Sequence, residues 1–250
     1  ALSVHALRPL ARLAAGRTGA DIERIIREAR RTARRENRPV EWQDIADLLQ
    51  VDQGARSEQA RWQMAVHEAG HTLVHVAIGN GQITLISIET HGGGMVQIMP
   101  QPDELETEVR MMAVISVWLA GRAAEELIFG NPTAGSAGSA QSDLATATDI
   151  ATLLETTLGF GSHQPLLYRP VDDRSHLLAL DSRLASRVNS RLEECYAHAK
   201  TILGRETDAH LWLARTILDH GVLEGSELEA LLDQARQRIR QSDTRTEGRL

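Results

Sequence analysis

Residues 66–73 read Val-His-Glu-Ala-Gly-His-Thr-Leu, so His67 and His71 stand four positions apart with Glu68 between them. Residues four apart share one face of an α-helix and lie roughly 6 Å apart along its axis. The two imidazoles therefore meet only if this segment is helical. A helix is expected from about Glu58 to Ile78, stopped by Gly79-Asn80-Gly81. What surrounds it must also be mostly helix. Aromatic residues make up 3% of the 250-residue chain, which leaves Ala, Leu, Ile and Val to fill the core. That favours packed helices over an all-β sandwich.

Two neutral imidazoles at this spacing can converge on one metal ion, and zinc suits them, binding His nitrogen at about 2.0–2.1 Å. Glu68 follows the first His and can take the proton of a water polarised by the metal without binding the metal itself. This is the H-E-x-x-H arrangement of zinc metalloproteases. The bland alternative is a helical His pair satisfied near a salt bridge. A catalytic zinc needs a third protein ligand and an open position. His75 lies roughly 12 Å along the axis from His67, too far to share the ion. The metzincin extension is absent, since Val74 and Ala77 stand where Gly and His are required. The third ligand must come from elsewhere. Glu125 and Glu126, in a helical stretch, are one possibility. Asp143, just after the small-residue loop 134–139, is another. A helix-surface charge or a cap would account for either acid in isolation.

The rest of the chain reads as follows. Thr18 and Asp21 form a capping box for an Arg-rich helix with an apolar stripe at Ile22, Ile25, Ile26 and Ala29. A short helix spans Trp42 to Leu49. Strand patterns occupy residues 83–88 and 95–99. Residues 103–106 are expected to cap a long helix ending at Gly130, and another helix covers about 141–158. Three helices close the chain at about 181–203, 207–219 and 227–241, the last capped by Ser226 and Glu229. The residues beyond Gln241 are expected to be a polar tail.

Cys195 is the only cysteine, so no internal disulfide is possible, and its helical setting reads as a buried structural thiol. The formal net charge of -7 argues against nucleic acid as a partner. The apolar run 111–120 is too short to cross a bilayer. The chain opens on Ala rather than Met and is expected to be a piece of a longer protein.

These residues resemble the FtsH family of ATP-dependent zinc metalloproteases. "HEAGH" at 67–71, "LAGRAAEELIFG" at 119–130, "SDLATATDIA" at 142–151, "GFGSHQPLLY" at 159–168, "CYAHAKTIL" at 195–203 and "LEGSELEALL" at 223–232 follow the order of its peptidase domain. "RTGADIERIIREARRTARREN" at 17–37 is similar to the end of the family's AAA+ lid. The resemblance implies a mainly α fold. It comprises a helical zinc-peptidase domain at 55–240 with a small β-sheet, an edge strand near the active site, a lid fragment at 1–50 and a polar tail at 241–250. It assigns one Zn2+ to His67, His71 and Asp143, gives Glu68 the catalytic role, and leaves Glu125 and Glu126 as supports behind the ligands. It makes Gly92, Gly93, Gly94, Met95, Val96, Gln97 and Ile98 the strand that receives substrate.

Unfolded or membrane-extracted polypeptides are the implied substrates and a homo-hexamer the implied assembly. ATP and Mg2+ would act only through an upstream ATPase module. No Walker A loop occurs in this chain. A membrane anchor upstream would place the full-length protein on the cytoplasmic side of the inner membrane, with this piece soluble. Two features depart from the family pattern. Ile88-Glu89-Thr90-His91-Gly92 replaces a Pro-Arg-Gly run, and Ala140-Gln141-Ser142 precedes Asp143 where Gly-Ala is usual. Two other readings remain: a catalytically weak relative serving as an assembly or interaction module, and a zinc hydrolase of small molecules.

Overall fold

The structure is a computed structural model. It describes residues 7, 10, 11, 13, 14, 17–51, 56–79, 81–90, 93–99, 105–134, 137–170 and 174–247. Its elements, in chain order, are α1 (Gly19–Arg35), α2 (Trp42–Val51), α3 (Glu58–Ile78), β1 (Gln82–Thr90), β2 (Gly93–Met99), α4 (Glu108–Phe129), α5 (Asp143–Thr156), α6 (Arg174–Leu180), α7 (Ser182–Arg205), α8 (Thr207–His220), β3 (Val222–Glu224) and α9 (Gly225–Glu247). The fold is mainly helical with one small antiparallel sheet.

Local chemistry sets the helix ends. Thr18 and Asp21 form the reciprocal capping box of α1. Ser57 accepts the Ala60 N–H to start α3, and Gly79, at φ 74°, ends it in a conformation that favours glycine. The start of α4 differs from expectation. Thr107 is the cap, its hydroxyl accepting the Arg110 N–H, because it stands directly before the first helical turn in an extended conformation. Of the expected capping residues, Asp103 and Glu104 lie outside the described residues. The last helix begins at Gly225, which puts Ser226 inside its first turn, and it continues to Glu247 rather than giving way at Gln241. No Gly or Pro interrupts residues 241–247.

Helix α3 is the centre of the fold, packing against α4, α8 and the sheet. Its contact with α4 is close because both surfaces are stripped of bulk. A Cβ on Gly70 would fall 2.6 Å from the Ala124 Cβ and 2.8 Å from the Ala120 carbonyl oxygen. Small residues at the crossing explain how a core with so few aromatics stays filled. Around the crossing, Val66, Leu73, Ile86, Ile88, Leu213 and Ile217 are buried together. A second cluster joins α4, α5 and α7 through Ile115, Leu154, Leu184 and Cys195. Burial there pushes the Cys195 thiol up to about 11, so it is an inert packing group. A third, separate cluster holds Ile25 of α1 against Ala46 and Leu49 of α2.

The sheet has the order β2-β1-β3, both pairings antiparallel. β3 has three residues, too few for a period-two pattern to be visible in sequence. Among the described residues, β2 pairs on one side only, so its outer edge faces away from the sheet.

Candidate metal centre

Helix α3 carries the first two donors. The Nε2 atoms of His67 and His71 lie 3.0 Å apart. Each ring is oriented from behind. His71 donates its Nδ1–H to the Val117 carbonyl at 2.7 Å, and His67 donates its Nδ1–H to Glu125 Oε1 at 2.7 Å. Carbonyl and carboxylate oxygens only accept, so both rings turn their Nε2 atoms inward. Asp143, the first residue of α5, brings its Oδ2 to 3.0 Å from His67 Nε2 and 3.4 Å from His71 Nε2.

Three acceptor atoms converging this closely need a positive charge among them. A proton is the minimal answer. Burial alone would lower the His67 pKa, but the Asp143 and Glu125 carboxylates outweigh it and raise the value to about 10. Burial would likewise raise the Asp143 pKa, yet its hydrogen bonds to the two imidazoles hold it well below the usual carboxylate range. A divalent cation is the stronger answer. Donors bound tetrahedrally at about 2.0–2.1 Å lie ~3.3 Å apart, and these three are separated by 3.0, 3.0 and 3.4 Å. His67, His71 and Asp143 are the one such group among the described residues. The donor set fits zinc.

Glu68 stands beside the donors, 4% exposed. Among the described residues its carboxylate takes no hydrogen bond. Burial pushes its pKa up, with His67 and His71 acting in the opposite sense. Packing holds it instead. A Cβ on Gly94 of β2 would overlap the Glu68 carboxylate, so glycine lets the edge strand lie directly against the acid. The same device recurs on α4, where a Cβ on Gly121 would overlap the His67 ring. Gly121→Ala is therefore expected to weaken zinc binding at least tenfold by displacing that ring, and a competition titration against a chelating dye would read it. Unchanged affinity would show that the ring has room to move.

The two neighbouring glutamates separate. Glu125 is buried, orients His67, and accepts the Thr133 backbone N–H. Glu126 does not face the centre. One helical residue turns by about 100°, which sends its carboxylate to Tyr196 and, at 2.9 Å, to Lys200 Nζ on α7. The expected grouping of Glu126 with Glu125 behind the two imidazoles is corrected by this geometry. His75 makes no approach to the donors; it is buried near the Gly81 carbonyl at 3.3 Å.

In β2, Met95 is opposite Ser87, Val96 opposite Ile86 and Gln97 opposite Leu85. Val96 and Ile98 pack against the main core, and Gly93 adopts φ 124°. Gly92 lies outside the described residues. Sequence reasoning did not single out Val117, Gly121 or Thr133. Their contributions are a carbonyl, a missing side chain and an amide, which no residue pattern advertises.

The family model for peptidase family M41 matches residues 55–231. The chain belongs to peptidase family M41. Similar proteins include the ATP-dependent zinc metalloprotease FtsH 2 of Sphaerobacter thermophilus, 31% identical over 92% of this chain and 37% of its own length. The ATP-dependent zinc metalloprotease YME1 homolog of Caenorhabditis elegans is 30% identical over 89% of this chain and 34% of its own. The FtsH of Syntrophobacter fumaroxidans is 28% identical over 97% of this chain and 41% of its own. The chain thus spans less than half the length of these relatives. Among its described residues, no helix is long and apolar enough to cross a membrane.

Proposed function

We propose that this M41 chain is a zinc-dependent endopeptidase that hydrolyses peptide bonds of unfolded polypeptides. The observation that carries the reading is the convergence of His67, His71 and Asp143 beside an unpartnered, buried Glu68. His67, His71 and Asp143 would hold the ion, with Glu125 and the Val117 carbonyl fixing the two rings. Zinc, when bound, supplies Lewis acidity toward water and the scissile carbonyl. Glu68 accepts the proton released by the attacking water and delivers it to the leaving amine. Its raised pKa in the absence of metal suits a group that must hold that proton briefly.

Substrate would add as a strand to the outer edge of β2, from Gly93 to Ile98, where backbone groups recognise any extended chain. Gly94 brings this edge against Glu68. Proline at Val96 would be a poor test, because Val96 pairs with Ile86 and packs into the core. Methylating the substrate backbone leaves the protein intact. In an added strand, alternate amides face β2. Peptides N-methylated at alternate positions are expected to lose cleavage at least tenfold in one phase and little in the other. Equal cleavage of both phases would remove β2 as the platform.

The reading extends to the longer protein. Residues 1–50 would be the end of an AAA+ lid, 55–240 the peptidase domain, and the copies would form a homo-hexameric ring. ATP hydrolysis and a membrane anchor would come from segments outside this chain, with the peptidase on the cytoplasmic side of the inner membrane. Cleavage of unfolded casein by the zinc-loaded chain, with a stable folded protein left intact, tests the central claim. Bound zinc without any casein cleavage would favour the interaction-module reading.

A further inference from the structure

We propose that segment 157–170, which follows α5, is a docking knob, and that Leu166, Leu167 and Tyr168 of one copy enter the groove between α4 and α7 of a second copy. This rests on the ring reading above and supplies its contact. Leu166 is 100% exposed, Tyr168 70% and Leu167 51%, an apolar cluster that a monomer would leave in water. Segment 157–170 is not slack. Arg169 N–H donates to the Thr156 carbonyl at 3.1 Å, Leu167 N–H to the Gln164 carbonyl at 3.0 Å, and Arg191 Nη2 to the Phe160 carbonyl at 2.7 Å. Gln164 takes φ 54°, a costly conformation for a residue other than glycine. A backbone pinned on both sides of Gln164 thus presents three apolar side chains outward.

The groove has a volume of about 700 Å³ and opens between the end of α3, the first turns of α4, and α7. That lies within the roughly 300–1,000 Å³ that receives ligand-sized apolar groups. Ile78, Val109, Met112, Ala113 and Ile202 line it, and Val109 is itself 81% exposed. Full exposure of Leu166 means that it does not fill the groove of its own chain. Charge agrees with this pairing. Segment 157–170 contains no acidic residue and carries Arg169, whereas exposed Glu194 stands on the groove. The basic residues there, Arg191 and Arg205, are already paired with Glu155 and Glu206. Knob and groove are different surfaces on separate elements, so their contact can repeat head-to-tail, the kind that closes into a ring.

The test uses the whole chain. Light scattering over a concentration series compares it with the double variant Leu166→Asp, Leu167→Asp. The substituted side chains touch solvent, so circular dichroism and zinc binding are expected to stay unchanged while assembly shifts to at least tenfold higher concentration. Separately, a Leu167→Cys chain is mixed with an Ala113→Cys chain under mild oxidation. A disulfide between the two chains is expected, mapped by mass spectrometry to distinguish it from Cys195. Assembly of the double variant at the unsubstituted chain's concentration, or an assembled mixture without that disulfide, would overturn the docking contact and leave the ring reading standing. An unsubstituted chain that stays monomeric throughout would overturn both.

Discussion

Glu68→Gln is expected to leave the chain folded and zinc-loaded while reducing peptide hydrolysis by about 10²–10⁴-fold, the usual worth of a positioned general base. The substitution preserves shape, and shape is what holds this side chain. Its carboxylate rests against Gly94 and takes no hydrogen bond among the described residues. A glutamine amide fits the same space but cannot accept the proton of the attacking water. Metal content by mass spectrometry and turnover of a fluorogenic peptide separate the two effects. Near-normal turnover with normal zinc would remove Glu68 from the reaction.

Asp143→Ala should act on the metal itself. It deletes one of the three proposed donors and leaves two imidazole nitrogens 3.0 Å apart without their anionic partner. Zinc affinity is expected to fall by more than about 100-fold. Glu125→Gln, which would act on a bound ion only through His67, should cost about 10–100-fold, the range for groups that orient a ligand. Glu126→Gln should change affinity less than about twofold, because that carboxylate serves Tyr196 and Lys200. The ranking is the test. If Glu126→Gln weakened zinc as much as Asp143→Ala did, the assignment of donors would collapse.

How much of this could be read beforehand depended on distance along the chain. That His67 and His71 would meet was legible because helix geometry fixes neighbours four apart. The bounds of α3 were legible because Gly79 ends it by a backbone conformation that favours glycine. Asp143 was different. Residue patterns left it level with Glu125 and Glu126, and only resemblance to a family chose it. The separation of Glu125 from Glu126 needed the direction in which α4 faces. The roles of Gly94 and Gly121 needed two surfaces in contact, since a glycine in sequence does not say what leans against it. The carbonyl that orients His71 has no side-chain signature at all.

The metal centre is assembled across a long span of chain: His67 and Asp143 meet although 76 positions separate them. This has a consequence for biosynthesis. During synthesis His67, Glu68 and His71 emerge together on one helix, well before Asp143. The chain cannot close the centre until α4 has docked on α3 and the start of α5 has arrived. The convergence of the three side chains therefore appears only once most of the fold around it is in place.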